Sequence, residues 1–376
     1  MNFIPYGRQS IDRSDIEAVE KTLLSDFLTT GPEIEAFERE MAAYCGAGYA
    51  VAVSSGTAAL HLASLALLEP GSTVITTPNS FVATSNALLY AGARPLFADI
   101  GRDGNIDLDL CEKLLRENPE IRVLYAVHFS GNPVDQERLA GIREKYAVTV
   151  LEDCAHSLGA SDGDIRAGSC QNSDVSIFSF HPVKNMTTGE GGMVTTNDPE
   201  IAEKIRLLRN HGIVKTPEMK PWEYEMRELG FNYRITDLQC SLGRSQLKKL
   251  DSFTGRRREL ARRYDDAFSG HPYIRPLYRY DGRSSYHLYV VLVDFQKIGI
   301  KREALFGEMK KRGIGLQVHY IPINKQPYYR KLGYGGEYTP VMDDYYRQCV
   351  SLPLYPALRN DEQEYVIRSL MEVLNG

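Results

Sequence analysis

The chain lacks most of the features that would place it outside the ordinary globular class. Only six of its 376 residues are cysteines (Cys45, Cys111, Cys154, Cys170, Cys240 and Cys349). None forms a C-x-x-C pair, which argues against a disulfide framework or a zinc site. The eight histidines are dispersed without an H-x-x-x-H pair, so no metal site is expected. No apolar run approaches the ~20 residues of a membrane span. The first residues, Met1-Asn-Phe-Ile-Pro-Tyr6, show no basic segment followed by an apolar one. The formal net charge is −5, so no global positive field invites nucleic acid or an anionic membrane. Tryptophan occurs once, as Trp222, and there is no repeat or low-complexity tract. These absences predict a reduced, cytoplasmic protein with neither nucleic-acid nor membrane partners.

What is present is ordinary in amount and patterned in order. Apolar residues make up 43% and charged residues 25%, and the length suggests two domains. Residues 12–45 read as two amphipathic helices, the first capped by Asp12 or Ser14, the second starting at Glu33 after Thr30-Gly31-Pro32. From Tyr49 a strict alternation begins. Strands are expected at 50–53, 74–76, 95–98, 123–127 and 148–151. Helices are expected at 56–68, 81–90, 108–116 and 136–146. Short strands alternating with helices of about ten residues signal βαβ units and a buried parallel sheet. Strands are also expected at 175–180 and 193–196, then a helix to Leu208 and an irregular segment, 211–232. A long helical region follows from Thr236 to Phe268, broken near Ser252-Phe-Thr-Gly255. Strand 286–293, helix 302–311, strand 316–318 and a last helix from Asp361 read as a smaller α+β unit. The predicted division is 1–250 and 251–376, with the N-terminal segment free to pack on the smaller part.

Parallel sheets bind ligands beyond the carboxyl ends of their strands, and four residue groups fall there. Ser54-Ser-Gly-Thr57 opens a helix, where unpaired N–H groups and the dipole suit a phosphate, although Ser and Thr are also ordinary N-caps. Asp153 follows an apolar strand and could face a cationic ring nitrogen or a metal, or simply cap a turn. Lys184 lies between two apolar strands in a loop closed by Gly189-Glu-Gly-Gly192. Desolvation there would make it a nucleophile towards carbonyls, whereas most loop lysines are merely solvated. Phe81 could stack on a planar ring or belong to the core. Each sign is weak alone. Together they supply what pyridoxal 5'-phosphate needs: a phosphate cup, a carboxylate for the ring nitrogen, a stacking ring and a lysine for the aldehyde.

In this combination the chain resembles the nucleotide-sugar aminotransferases of the DegT/DnrJ/StrS type, a branch of the fold-type I pyridoxal-phosphate enzymes. The resemblance rests on Leu28-Thr-Thr-Gly-Pro32, Ser54-Ser-Gly-Thr-Ala-Ala-Leu60, Thr77-Pro-Asn-Ser-Phe-Val-Ala-Thr84 and Glu152-Asp-Cys-Ala-His-Ser157. Phe178-Ser-Phe-His-Pro-Val-Lys184, Gly189–Gly192, Asn232-Tyr-Arg234 and Val318-His-Tyr320 complete it. It implies an α/β fold of type I, with a large domain built on a mainly parallel sheet flanked by helices and a smaller α+β C-terminal domain. It implies Lys184 and Asp153 as catalytic residues, with Ser55, Gly56, Thr57, Phe81, His156 and Ser179 also around the cofactor. Asn232 would reach the cofactor phosphate across the interface of a homodimer, and Arg234, His319 and Tyr320 would contact the sugar nucleotide. One branch of the family carries histidine in place of the lysine and dehydrates its substrate; retention of Lys184 implies transamination. Within the family, Thr77–Thr84, Asp103-Gly-Asn-Ile-Asp107 and Phe180–Lys184 are most similar to the 4-aminotransferase of pseudaminic acid biosynthesis. That implies L-glutamate as donor and a UDP-linked 4-keto-6-deoxy-N-acetylhexosamine as acceptor. The rivals are 4-aminotransferases for other UDP-, dTDP- or GDP-keto sugars, a non-catalytic sugar-nucleotide-binding regulator, and a pyridoxal enzyme of another reaction type.

Overall fold

The computed structural model describes residues 3–375; Met1 and Asn2 of the N-terminal stretch lie outside the described residues. Its centre is a seven-stranded sheet. In chain order the strands are β1 (Tyr49–Val53), β2 (Thr73–Thr76), β3 (Arg94–Phe97), β4 (Val123–Val127), β5 (Thr149–Asp153), β6 (Val175–Ser179) and β7 (Gly192–Thr196). Their spatial order is β1-β7-β6-β5-β4-β2-β3. Every pairing is parallel except those of β7, which runs antiparallel to both β1 and β6. The start of β7 therefore lies at the same edge as the ends of the other strands. The strands are apolar on both faces, as a sheet covered on both sides must be. Helices 56–67, 83–90 and 199–209 cover one face through Leu60, Leu62, Leu88 and Ile205. Phe37, Met41, Phe178 and Phe180, with a second group around Leu124, Leu139 and Val150, fill the other.

A separate apolar cluster surrounds a three-stranded antiparallel sheet of Ile274–Pro276, Tyr289–Val293 and Cys349–Leu352, packed by helices 250–267, 302–311 and 360–375. Ile4 belongs to that cluster and bridges Ile314 through Ile4 N–H to the Gly313 carbonyl, 2.8 Å.

Several elements differ from expectation. The long helical region breaks at Lys248-Lys249 rather than at Ser252–Gly255: helix 237–247 ends there and helix 250–267 runs through Gly255. A single exposed glycine is tolerated inside a helix at a cost of about 1 kcal/mol, so Gly255 is no breaker. Residues 316–318 are not a strand but a single bridge from Gln317 to Ser351, while Cys349–Leu352, not expected as a strand, forms one edge of the sheet. The strand expected from Tyr286 begins only at Tyr289. Tyr286 is left-handed (φ 48°), and Ser285 and Leu288 N–H groups bond the carbonyls of Gly131 and Ser130 instead of a strand. The segment 211–232 carries a two-residue hairpin, Ile213–Val214 with Glu225–Met226, and leaves Trp222 exposed.

Candidate active site

A cavity of about 590 Å³ opens over the carboxyl edge of the large sheet. Ser55, Gly56, Thr57, Phe81, Asp153, His156, Ser179, Lys184, His319 and Tyr320 all line it. Parallel topology gathers the strand-end residues among them, while His319 and Tyr320 come from the segment after Gln317, which bridges Ser351 of the smaller sheet.

The cup at one end is built on β1, helix 56–67, β6 and β7. Ser55 is the N-cap of that helix, its Oγ accepting from Ala58 N–H at 3.1 Å. The ordinary capping role and a ligand role coexist, since capping uses the oxygen and leaves the hydroxyl hydrogen to donate. A Cβ on Gly56 would lie 2.8 Å from Ser179 Cβ, and one on Gly192 would lie 2.4 Å from the Ser55 carbonyl oxygen. Glycine at both positions is what lets β6, β7 and the helix start converge. The result is three hydroxyls (Ser55, Thr57, Ser179) at the positive end of a helix, a donor set suited to a phosphate.

Asp153 is the last residue of β5 and is 5% exposed. Its Oδ1 accepts from Ala155 N–H at 3.1 Å and its Oδ2 from Thr84 Oγ1 at 2.6 Å. The turn-capping alternative thus accounts for one oxygen only. Because Thr84 gives its single hydrogen to Asp153, Ser80 Oγ must donate to Thr84, 2.7 Å away. Thr84 and Ser80 also line the cavity, and sequence reasoning did not single them out. Their signal lay in the Thr77–Thr84 stretch, but nothing in spacing showed that helix 83–90 would aim Thr84 at β5.

Lys184 sits in a loop pinned at both ends. The Thr187 hydroxyl and Thr188 N–H bond the Phe180 carbonyl, Asn185 Nδ2 bonds the Leu158 carbonyl, and Lys184 N–H bonds the His181 carbonyl. The lysine lines the cavity, and part of it also borders a small recess with Arg8, Ser10 and Phe253. Burial lowers its pKa to about 8, against a smaller upward pull from Asp153. Burial likewise holds His156 well below the usual histidine range and lowers His319 to about 3, with Lys184 adding to both. Phe81 is 57% exposed, an open ring on the cavity wall rather than core. His181 is exposed and lines the cavity mouth. Tyr6, Glu190 and His287 also line the wall; no site role was expected of Glu190 or His287.

Asn232 and Arg234 do not line this cavity within one chain. Arg234 bonds Asn210 Oδ1 at 2.8 Å in a separate recess with Arg206 and Arg209, and Asn232 bridges Asn210.

Residues 9–371 match the profile of the DegT/DnrJ/EryC1/StrS aminotransferase family. The chain belongs to that family. Among curated relatives, the spore coat polysaccharide biosynthesis protein SpsC of Bacillus subtilis is 39% identical, over 100% of this chain and 98% of the relative. The UDP-4-amino-4,6-dideoxy-N-acetyl-beta-L-altrosamine transaminase of Campylobacter jejuni is 40% identical, over 99% and 97%. Among solved structures, Helicobacter pylori PseC, an aminotransferase involved in the biosynthesis of pseudoaminic acid, superimposes with a TM-score of 0.93 at 33% identity, covering 100% of both chains. DegT/DnrJ/EryC1/StrS aminotransferases depend on pyridoxal phosphate, and relatives have been solved in PLP and PMP forms. The chain is therefore a pyridoxal-phosphate-dependent aminotransferase of fold type I.

The cavity fits that cofactor. The Gly56–Ser179 approach leaves a cradle that a Cβ would fill, the hydroxyl set matches a phosphate, and a desolvated lysine faces a fixed carboxylate.

Proposed function

We propose that this aminotransferase moves the amino group of L-glutamate to C4 of a nucleotide-linked 4-keto-6-deoxy sugar, of the UDP-N-acetylhexosamine kind used in pseudaminic acid synthesis, as a cytoplasmic homodimer. The observation that carries the chemistry is the pairing of a desolvated Lys184 with a Thr84-anchored Asp153 in one cavity. The similarity to the altrosamine transaminase and to PseC supports the substrate class. The division of the chain into a cofactor domain, 1–250, and a small domain, 251–376, belongs to the same proposal.

Pyridoxal phosphate, when bound, supplies the aldehyde carbon and the electron sink of transamination. The residues that would hold it are Ser55, Gly56, Thr57 and Ser179 at the phosphate, Phe81 against the ring face and His156 beside the ring hydroxyl. Asp153 would lie opposite the ring nitrogen, with Asn232 of a second copy at the phosphate. Asp153 keeps a carboxylate at the wall, the partner a protonated nitrogen requires. Lys184 moves protons at Nζ: with its pKa at about 8, roughly one lysine in ten is neutral at pH 7, against fewer than one in a thousand for an ordinary one.

The test offers glutamate with a panel of UDP-, dTDP- and GDP-linked 4-keto-6-deoxy sugars. The expected result is stoichiometric 2-oxoglutarate and a 4-amino sugar, fastest with the UDP-N-acetylhexosamine, and at least a thousandfold loss in Lys184→Ala. Preference for a dTDP- or GDP-sugar would overturn the substrate, and undiminished turnover in Lys184→Ala would overturn the mechanism.

A further inference from the structure

A buried polar cluster lies outside the cavity, on the far side of the strand that carries Asp153. Side chains of β5 alternate between the two faces of the sheet, so Glu152 leaves it on the face opposite Asp153. Glu152 is only 3% exposed, yet four donors fill its two oxygens. His128 Nε2 at 2.9 Å and Gln136 Nε2 at 2.6 Å bond Oε1, while Ser173 Oγ at 2.6 Å and Ser176 Oγ at 3.3 Å bond Oε2. Burial by itself would raise this carboxyl, but His128, Ser173 and Gln136 together hold its pKa at about 2. An ionised carboxylate can only accept, so His128 carries a hydrogen on Nε2.

His128 is the member of the cluster that reaches the site. It follows β4 directly, where the pairing of β4 with β5 runs out at Val127 and Asp153. Its ring holds Glu152, its backbone N–H donates to the Asp153 carbonyl at 3.1 Å, and its Nδ1 lies 3.0 Å from Ser157 Oγ. One residue thus ties three points of Glu152–Ser157, the stretch that carries Asp153 and His156 to the cavity. His128, Glu152 and Ser157 are all buried and none of them lines the cavity, so the cluster stands whether or not the cavity is filled. Stability alone does not call for it, because apolar side chains of similar size in place of a buried ion pair are often no less stable.

We propose that His128 and Glu152 are positioning residues that fix the Asp153 carboxylate from the opposite face of the sheet, holding it where it meets the ring nitrogen of bound pyridoxal phosphate. This rests on the reading above of Asp153 as the partner of that nitrogen. Thr84 Oγ1 and Ala155 N–H fix the carboxylate itself. His128 fixes the backbone beneath it, at the point where the sheet no longer does. Loss of the His128–Glu152 bond frees the end of β5 to shift and loosens the contact that keeps the nitrogen protonated.

Enzyme loaded with pyridoxal phosphate carrying 15N in the ring reports this contact by NMR without any substrate. The expected wild-type signal is that of a protonated ring nitrogen. In His128→Phe and in the isosteric Glu152→Gln it should move towards the unprotonated form, and His128→Gln, which keeps an N–H for Glu152, should move it back. In single turnovers with glutamate, the same two variants should react at least tenfold more slowly per bound cofactor, with the half-saturating glutamate concentration within twofold of wild type. A ring-nitrogen signal and a rate both unchanged, with only a lower melting temperature, would show a merely structural pair and overturn the proposal. Should His128→Phe fail to fold, Glu152→Gln decides the question by itself. A wild-type nitrogen without its proton, or one that keeps its proton in Asp153→Asn, overturns the Asp153 reading, and the positioning role falls with it.

Discussion

At the scale of single residues, the site works by controlling where charge is allowed. Lys184 has no carboxylate bonded to its Nζ, and desolvation is the larger influence on it, so its pKa falls although Asp153 pulls the other way. The sign is testable in the cofactor-free enzyme. A lysine reacts with an aldehyde as the free amine, so reductive methylation of Lys184 should accelerate about tenfold per pH unit up to about pH 8 and then level off, while exposed lysines keep accelerating past pH 10. Mass spectrometry of the labelled peptide reads both; a Lys184 profile that tracks the exposed lysines would show that the cavity does not desolvate it. Asp153 and Lys184 drew notice in the sequence only in combination with the Ser54–Thr57 group and Phe81, because each sign alone is weak. Thr84 did not, because a threonine becomes informative only once its hydrogen-bond partner is known.

At the scale of elements, the phosphate cup depends on how closely β6 and β7 approach the start of helix 56–67. Gly56→Ala places a Cβ 2.8 Å from Ser179 Cβ, and neither backbone can retreat without disturbing the sheet. The expected result is a loss of about 1–3 kcal/mol in urea unfolding of the cofactor-free protein, typical of overpacking, with weaker binding of pyridoxal phosphate by fluorescence titration. Unchanged cofactor affinity would show that the cup lies elsewhere. The βαβ alternation was readable because periods of 2 and 3.6 differ plainly. Errors collected where tertiary contacts override local preference. Gly255 stays helical inside a long packed helix, and Tyr286 leaves the strand because Ser285 and Leu288 N–H groups are bonded to Gly131 and Ser130.

At the scale of the whole molecule, the unused residues are as informative as the used ones. Arg234 stands in a recess with Arg206 and Arg209, Asn232 bridges Asn210, and neither lines the Lys184 cavity. Leu24, Phe27 and Leu229 lie largely exposed on the same chain. If two copies complete each other's sites, Lys184→Ala and Asn232→Ala should each be inactive alone. Mixed after subunit exchange, they should recover about a quarter of wild-type activity, because half of the dimers are hybrids with one intact site of two. No recovery despite hybrids demonstrated by native mass spectrometry would place Asn232 outside the partner's site.

What the sequence determined by itself was the set of parts: an alternating pattern that can bury its apolar residues only as a covered parallel sheet, and polar groups at the strand ends where such a sheet opens. Local periodicity and residue chemistry suffice for that, because both are properties of short stretches. Only the tertiary structure decided which of those groups meet. That Asp153 anchors on Thr84 as well as capping a turn, and that Gly56 must lack a side chain, both depend on backbone placed by distant segments, and no local pattern encodes distances between strands.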